Sequence, residues 1–420
     1  MIAELDLPLY PADRVPVLLL GGVNLVRALG LAGIPAIVAS SDPDEPAFAS
    51  RYCHARWFVP SPAYGNLALN AIVALGNRLC AVYGRRIPLM YGSDEWLNLI
   101  SAHRERLQRY FLLLLSEPLV AESLIEKDRF QSLARRRALP VPRTLAWGTG
   151  PGTVGSAAGA VLVKPRSKVD WHDSAMRQRL FGESKALIYA SGAEAAADLA
   201  LADFHEQVTF QEYVAGGDTS LWSYHGFADE RGVVLASFVG RKLRTHPPLV
   251  GESAFIELGD DAALDALGRE IAARLPLKGI FKMDFKKDAA TGEWRLLEIN
   301  ARFNLWLYLG ACNGLNLVRF AYDYLLDGKR PVAGVRPTGA RRWLSLSLDY
   351  RAHRVLRARG EITTARWLAS ILASRNVYNV FASSDPGPWL SLWWNRVARR
   401  ANRVPRRLLA HLRPWRSTAS

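Results

Sequence analysis

Residues 279–304 read GIFKMDFKKDAATGEWRLLEINARFN. Two apolar runs flank the polar stretch 288–293, and Gly292 suits a tight return, so the segment predicts a β-hairpin. Side chains alternate faces along a strand. Glu298, Asn300 and, if the strand runs on, Arg302 therefore share one face, while Leu297 and Ile299 turn to the core. On the first strand Asp284 shares a face with Lys282 and Lys286, and closing the hairpin around 288–293 brings Asp284 roughly opposite Glu298. Two carboxylates and a carboxamide form a hard oxygen-ligand set of the kind that holds magnesium on phosphate oxygens. Arg302 beside them would neutralise charge on a transferred phosphoryl group. Taken alone, the same residues also describe a solvated sheet face with cross-strand salt bridges.

Before this hairpin the chain alternates strand and helix patterns. Residues 15–20 are a short apolar run, Gly21–Gly22 a turn, 24–32 a helix, and 36–40 a second strand ending at Ser41–Asp42. This is the opening of a doubly wound α/β domain. No third glycine follows Gly21 and Gly22, so the dinucleotide fingerprint is incomplete and a dehydrogenase is not expected. Residues 68–83 predict a helix, 86–91 a strand, 95–115 one or two helices, and 122–138 a charged amphipathic helix. The prolines of Leu139–Pro140–Val141–Pro142 then force an extended segment. Strands follow over 160–163, 208–214, 221–228 and 233–241, with helices over 262–275 and 315–326.

The ordered set of motifs resembles the ATP-grasp superfamily. Asp284 with Glu298, Asn300 and Arg302 in EINAR is similar to its metal- and phosphate-binding signature. Lys127 resembles the early lysine that reaches ATP phosphates, and Lys164 in VLVKP the second nucleotide lysine. Gln211–Glu212–Tyr213–Val214 resembles the hinge strand that holds adenine, with Asp218 placed for ribose. Residues 139–144 resemble the segment leading into the small lid subdomain. The resemblance spans about residues 15–330 and implies an α/β chain, α+β in its ATP-grasp part. Its Rossmann-like domain would cover 1–116 and a two-subdomain ATP-grasp module 117–335, with the lid at about 140–210.

What the resemblance implies is an ATP- and magnesium-dependent ligase, manganese being an alternative metal. It would activate a small-molecule carboxylate as an acyl phosphate and couple it to an amine. Lys127, Lys164, Gln211, Glu212, Tyr213, Val214 and Asp218 would hold ATP; Asp284, Glu298 and Asn300 would hold the metal; Arg302 and Arg241 would act on phosphate. Arg244 would grip a substrate carboxylate. Many such ligases carry a glycine- and serine-rich loop after the second lysine, but residues 166–174 here are RSKVDWHDS. Closure over ATP is therefore assigned to side chains, with Arg166, Lys168 and His172 as candidates. Two alternatives stay open: an ATP-grasp enzyme acting on a peptide or protein, and a non-catalytic nucleotide-binding adaptor at a membrane surface.

Composition bounds the rest. The 420 residues are 50% apolar and 22% charged, enough for two to four domains with real cores. Three widely spaced cysteines, Cys53, Cys80 and Cys312, exclude a disulfide framework and a Cys-based zinc site. No apolar run reaches the length of a bilayer span, and acids sit where a signal peptide carries positive charge. The expectation is a cytoplasmic chain, neither exported nor integral.

The formal net charge of +15 is concentrated at one end. Residues 336–420 hold seventeen arginines, no lysine and three acids, which accounts for all but one of those charges. Six of the 13 tryptophans lie there too: Trp343, Trp367, Trp389, Trp393, Trp394 and Trp415. Residues 389–403 predict a basic amphipathic helix broken by Pro405, within a mainly helical C-terminal extension. Such a helix suits an anionic membrane surface. Nucleic acid is the weaker partner on the same charges, and packing of 343–371 on the body is the plain alternative. Oligomeric state is not legible.

Overall fold

The computed structural model describes residues 14–166, 174–182, 184 and 186–401. Lys168, His172, Arg403, Pro405 and Trp415 lie outside these residues. Strands β1 (Val17–Leu20), β2 (Ala36–Ser40), β3 (Cys53–Phe58), β4 (Ile87–Tyr91) and β5 (Phe111–Leu112) form a parallel sheet of order β3-β2-β1-β4-β5. The first three elements follow from the sequence: an apolar run, two glycines, then a helix over Val23–Leu31. Two strands depart from expectation. β3 alternates half-buried and exposed residues at the sheet edge, so no continuous apolar run announces it. β5 is only two residues long, within a stretch expected to be helical throughout.

A second sheet of seven strands carries the hairpin. It runs β14-β13-β10-β11-β12-β15-β16, using β10 (Leu221–Ala228), β11 (Val234–His246), β12 (Glu252–Gly259), β13 (Gly279–Lys287), β14 (Trp294–Asn300), β15 (Arg342–Leu344) and β16 (Asn376–Tyr378). Helix Ala262–Arg274 covers one face with Phe281, Met283 and Phe285. On the other face Trp306, Leu307 and Leu309 join Phe238 and Ile256 in a core shared with Val26 and Leu29 of the first domain. A third, four-stranded sheet of order β6-β9-β7-β8 uses β6 (Thr144–Leu145), β7 (Val161–Pro165), β8 (Leu187–Tyr189) and β9 (Val208–Glu212) around its own core. The single helix expected over 122–138 is two, Pro118–Ile125 and Lys127–Arg136, because Glu126 is extended.

The last part of the chain is woven into the body. β15 pairs with β12, and β16 pairs with β15. Trp343 is 1% exposed, and its indole donates to Asn24 Oδ1 at 3.0 Å. Arg27 and Asp385 form a buried ion pair at 2.9 Å, tying the first helix to the end of the chain. Residues 342–378 thus extend the central sheet, and the helical content expected of this region is supplied by Leu346–Ala358, Thr364–Leu372 and Gly387–Ala401.

Candidate active site

The hairpin pairs Asp284 with Glu298 and Lys282 with Asn300, and it reaches that register through an irregularity between Asp284 and Phe285: the turn pairs Lys287 with Trp294 and Phe285 with Leu296, and the extra residue Leu297 brings Glu298 opposite Asp284. Asp284 is buried, whereas Glu298 is exposed and Asn300 half-buried. Lys282 Nζ lies 2.7 Å from Asp284 Oδ2, and Ser223 on β10 donates to Oδ1. Burial pushes the Asp284 carboxyl up, but the Lys282 and Lys242 ammoniums and a hydrogen bond shared with Glu298 hold it well below the usual carboxylate range. Two carboxyl groups near enough to share a hydrogen bond repel when both ionise, and a divalent cation relieves that repulsion. Asn300 Nδ2 donates to Glu298 Oε1 at 3.2 Å, so all three expected ligands converge. Arg302 Nε reaches Asp94 at 2.6 Å, and its Nη2 reaches Asn300 Oδ1 at 3.1 Å, which braces the hairpin against the first domain.

Across from the hairpin stands the four-stranded sheet. On β7, Val161 and Val163 face that sheet's core, so Leu162 and Lys164 face away from it. β9 pairs with β7 so that Thr209 sits beside Lys164 and Gln211 beside Leu162. Burial, and then Lys127, pushes the Lys164 ammonium down to about 8, against the pull of Glu298. Lys127, which also donates to the Pro165 carbonyl, therefore belongs to the same place. Among the described residues Thr209 Oγ1 and Gln211 Nε2 are buried without a hydrogen-bond partner. A polar ligand on this face would satisfy both, and the two lysines beside it favour an anionic one.

Where this sheet meets the central one, Tyr213 receives Lys286: Nζ donates to the hydroxyl at 3.0 Å and lies 4.1 Å from the ring centroid. Burial pushes Lys286 down to about 8, with Asp218 and Asp288 pulling up. Val214 is buried beside Tyr213. The N–H groups of Glu212 and Tyr213 donate to the carbonyls of Arg143 and Ala160.

Four expected side chains are occupied differently. Glu212 points outward into an exposed pair with Arg143 at 2.9 Å. Asp218, expected at ribose, accepts from Thr245 N, Thr245 Oγ1 and Leu249 N at 2.6–2.8 Å and anchors the 245–249 loop. Arg241, expected on phosphate, lies over Trp222 and pairs with Glu257 at 2.6 Å. Trp222 faces opposite to Ser223 and Asp284, so Arg241 is on the wrong side of the sheet. Its neighbour Lys242 takes the facing position beside Asp284. Arg244, expected on a substrate carboxylate, is 6% exposed and makes a two-pronged pair with Asp349 at 2.7 and 2.9 Å.

A cleft of about 730 Å³ opens between the hairpin and the first domain. Asp284, Glu298, Asn300, Arg302, Lys242 and Lys282 form its floor. Its far wall is the Gly21–Gly22 turn with Asn24, Ser40, Glu45 and Ser93, and Glu252 and Ser253 reach in from β12. Sequence reasoning missed Lys242, Ser223, Thr209 and this wall. For Thr209 the signal was available, two residues before Gln211 on one strand. For the wall there was none, because its residues come from turns that only the tertiary fold assembles.

No family model matches the chain. It is 26% identical over 244 residues to the D-aspartate ligase of Enterococcus faecium (strain Aus0004), which covers 55% of this chain and 56% of that protein, so the chain spans little more than half its relative's length. Among solved structures it resembles N5-carboxyaminoimidazole synthetase from Staphylococcus aureus complexed with ADP, with TM-score 0.55, 10% identity, and coverage of 78% of this chain and 80% of that one. It resembles L-amino acid ligase from Bacillus licheniformis with TM-score 0.51, 12% identity and 77% of each chain covered. Biotin carboxylase from Campylobacter jejuni, in complex with β,γ-ATP, gives TM-score 0.51, 11% identity, and coverage of 76% and 72%. These proteins are ATP-grasp enzymes, and with a parallel first domain, a small antiparallel sheet and a carboxylate-bearing hairpin the chain has the ATP-grasp fold.

Proposed function

We propose that the chain is an ATP- and magnesium-dependent ligase that joins a small-molecule carboxylate to an amine. The observation that carries this reading is that Lys164, from the small sheet, feels the charge of Glu298, which pairs with Asp284 across the hairpin. Lys127 and Lys164 supply charge to the phosphates, and Thr209 and Gln211 supply polar atoms of the same face that have no partner among the described residues. Tyr213, Val214 and Lys286 line the hinge where the base would pack. Asp284, Glu298 and Asn300 would hold magnesium, or manganese in its place. When bound, the metal–nucleotide complex supplies the phosphoryl group that converts a carboxylate into an acyl phosphate.

The chain's own work is placement and charge. Two anions must meet at the cleft floor, where Lys242, Lys282 and Arg302 offset their repulsion. The D-aspartate ligase and L-amino acid ligase likenesses favour an amino acid as the carboxylate or the amine. The reading places the chain in the cytoplasm, where ATP is available and Cys53, Cys80 and Cys312 stay as thiols, with its C-terminal helix at the inner face of a membrane. The test is ADP release with magnesium and ATP against a panel of D- and L-amino acids. Release triggered by a specific acid supports the reading; no magnesium-dependent ATP binding overturns it.

A further inference from the structure

Helix Gly387–Ala401 is turned outside in. Among its described positions Pro388 is buried and Gly387, Ser391, Leu392, Asn395 and Ala398 are half-buried, while Trp389, Leu390, Trp393, Trp394 and Val397 stand in solvent. Their exposures run from 41% at Val397 to 65% at Trp394. A helix that only covers a body presents its apolar face to that body. Phe381 widens the patch, packing edge-on to Trp389 at 5.9 Å while itself exposed.

The helix is nonetheless fixed in place. A Cβ on Gly387 would come within 1.9 Å of the Ala49 carbonyl, so the backbones touch there. Just upstream, Asp385 accepts from Arg27 Nε, Ser50 Oγ and the Arg51 N–H. Arg399 pairs with Asp44 at 2.5 Å. An aromatic face this large, held outward on a rigid seat, is built for contact.

We propose that this face docks on an anionic phospholipid bilayer. This rests on the location given in the functional reading and not on the ligase chemistry. The choice of occupant follows from charge and residue type. From Pro386 to Ser420 the chain has eight arginines and no acid. Tryptophan rings seat at the headgroup level, and arginines beside them pair with lipid phosphates. Among the described residues no helix is long and apolar enough to cross a membrane, so the contact is peripheral. Nucleic acid suits the surface less well. The rings crowd one convex helix face instead of lining a groove along which bases could stack in succession.

The helix is seated on residues 44–51, and Glu45 of that segment lines the cleft beside Ser40 and Ser41.

The test is co-sedimentation of the full chain with vesicles of phosphatidylglycerol and phosphatidylcholine, against phosphatidylcholine alone, with tryptophan emission as a second readout. Binding to the anionic vesicles should be at least about tenfold tighter and should weaken several-fold between low and high salt. Replacing Trp389, Trp393 and Trp394 together by serine should weaken it about tenfold or more while ATP binding stays unchanged. Arg396→Glu provides a second variant should the triple one not fold, and it should weaken anionic binding in the same direction. Equal partition into both vesicles, variants that bind like wild type, tighter binding to a single-stranded oligonucleotide, or a dimer that covers the tryptophans would each overturn the proposal. None of these readouts depends on ligase activity, so the two proposals fail separately.

Discussion

Asp284 and Glu298 stand directly opposite each other on adjacent strands, one buried beneath two lysines and the other open to the cleft. That asymmetry separates their roles in a test. Glu298→Ala removes an exposed carboxylate, so folding stability should change by less than about 1 kcal/mol. ADP release should fall by at least about a thousandfold, on the scale of losing a principal electrostatic group. Asp284→Asn should abolish turnover too. Parallel activity and thermal-melt measurements check both, and an active Glu298→Ala enzyme would sink the metal assignment.

Lys164 and ATP affinity should be linked through pH. With its ammonium pushed down to about 8, Lys164 is charged below that value and loses its proton above it. Nucleotide affinity should therefore be flat at lower pH and weaken as pH rises through about 8. Binding near that pH should take up protons, because the phosphates draw the charged form back. Lys164→Arg stays charged and should flatten the part of the profile that Lys164 contributes. Calorimetry in buffers of different ionisation enthalpy reads the proton uptake directly.

Lys242 and Arg241 offer a neighbouring pair with opposite expectations. Lys242→Met should cut turnover by about a hundredfold or more, since it removes charge beside Asp284 at the cleft floor. Arg241→Met leaves that face untouched and should alter activity by less than about threefold, losing only a partly exposed pair with Glu257. Steady-state kinetics on the two variants decides the question, and a reversed order would contradict the face assignment.

The Arg244–Asp349 pair should behave as a fastening between the central strands and the last part of the chain. Asp349 is fully buried and also accepts from the Trp367 indole at 2.7 Å. Removing one partner strands the other charge, so Arg244→Met should cost about 3–5 kcal/mol in urea unfolding. A substrate-binding arginine would instead raise KM at little cost in stability. The ratio of these two effects distinguishes the roles.

Much of the hairpin was readable from the chain itself. Alternation with a period of two placed Glu298, Asn300 and Arg302 together, and the polar turn at 288–293 joined their strand to that of Asp284. These are local relationships, carried by a backbone geometry that needs no tertiary partner. The same local logic explains why Arg241 misled. Its strand was legible, but which face looked toward Asp284 depended on pairing with β10, and a one-residue difference reverses every side chain.

The sequence by itself determined the strand–turn–helix–strand opening, the two strands of the hairpin with their alternating faces, and the concentration of arginine and tryptophan at one end, because these depend on neighbours along the chain. Only the tertiary structure decided that Arg244 meets Asp349 across 105 positions and that Arg27 meets Asp385 across 358. It also decided that the cleft wall is made of turns from the first domain, and that residues 342–378 complete the central sheet. Those outcomes follow from burial: a charge taken out of water needs its partner wherever the fold can bring one, and pairing across such distances leaves no period in the sequence to read.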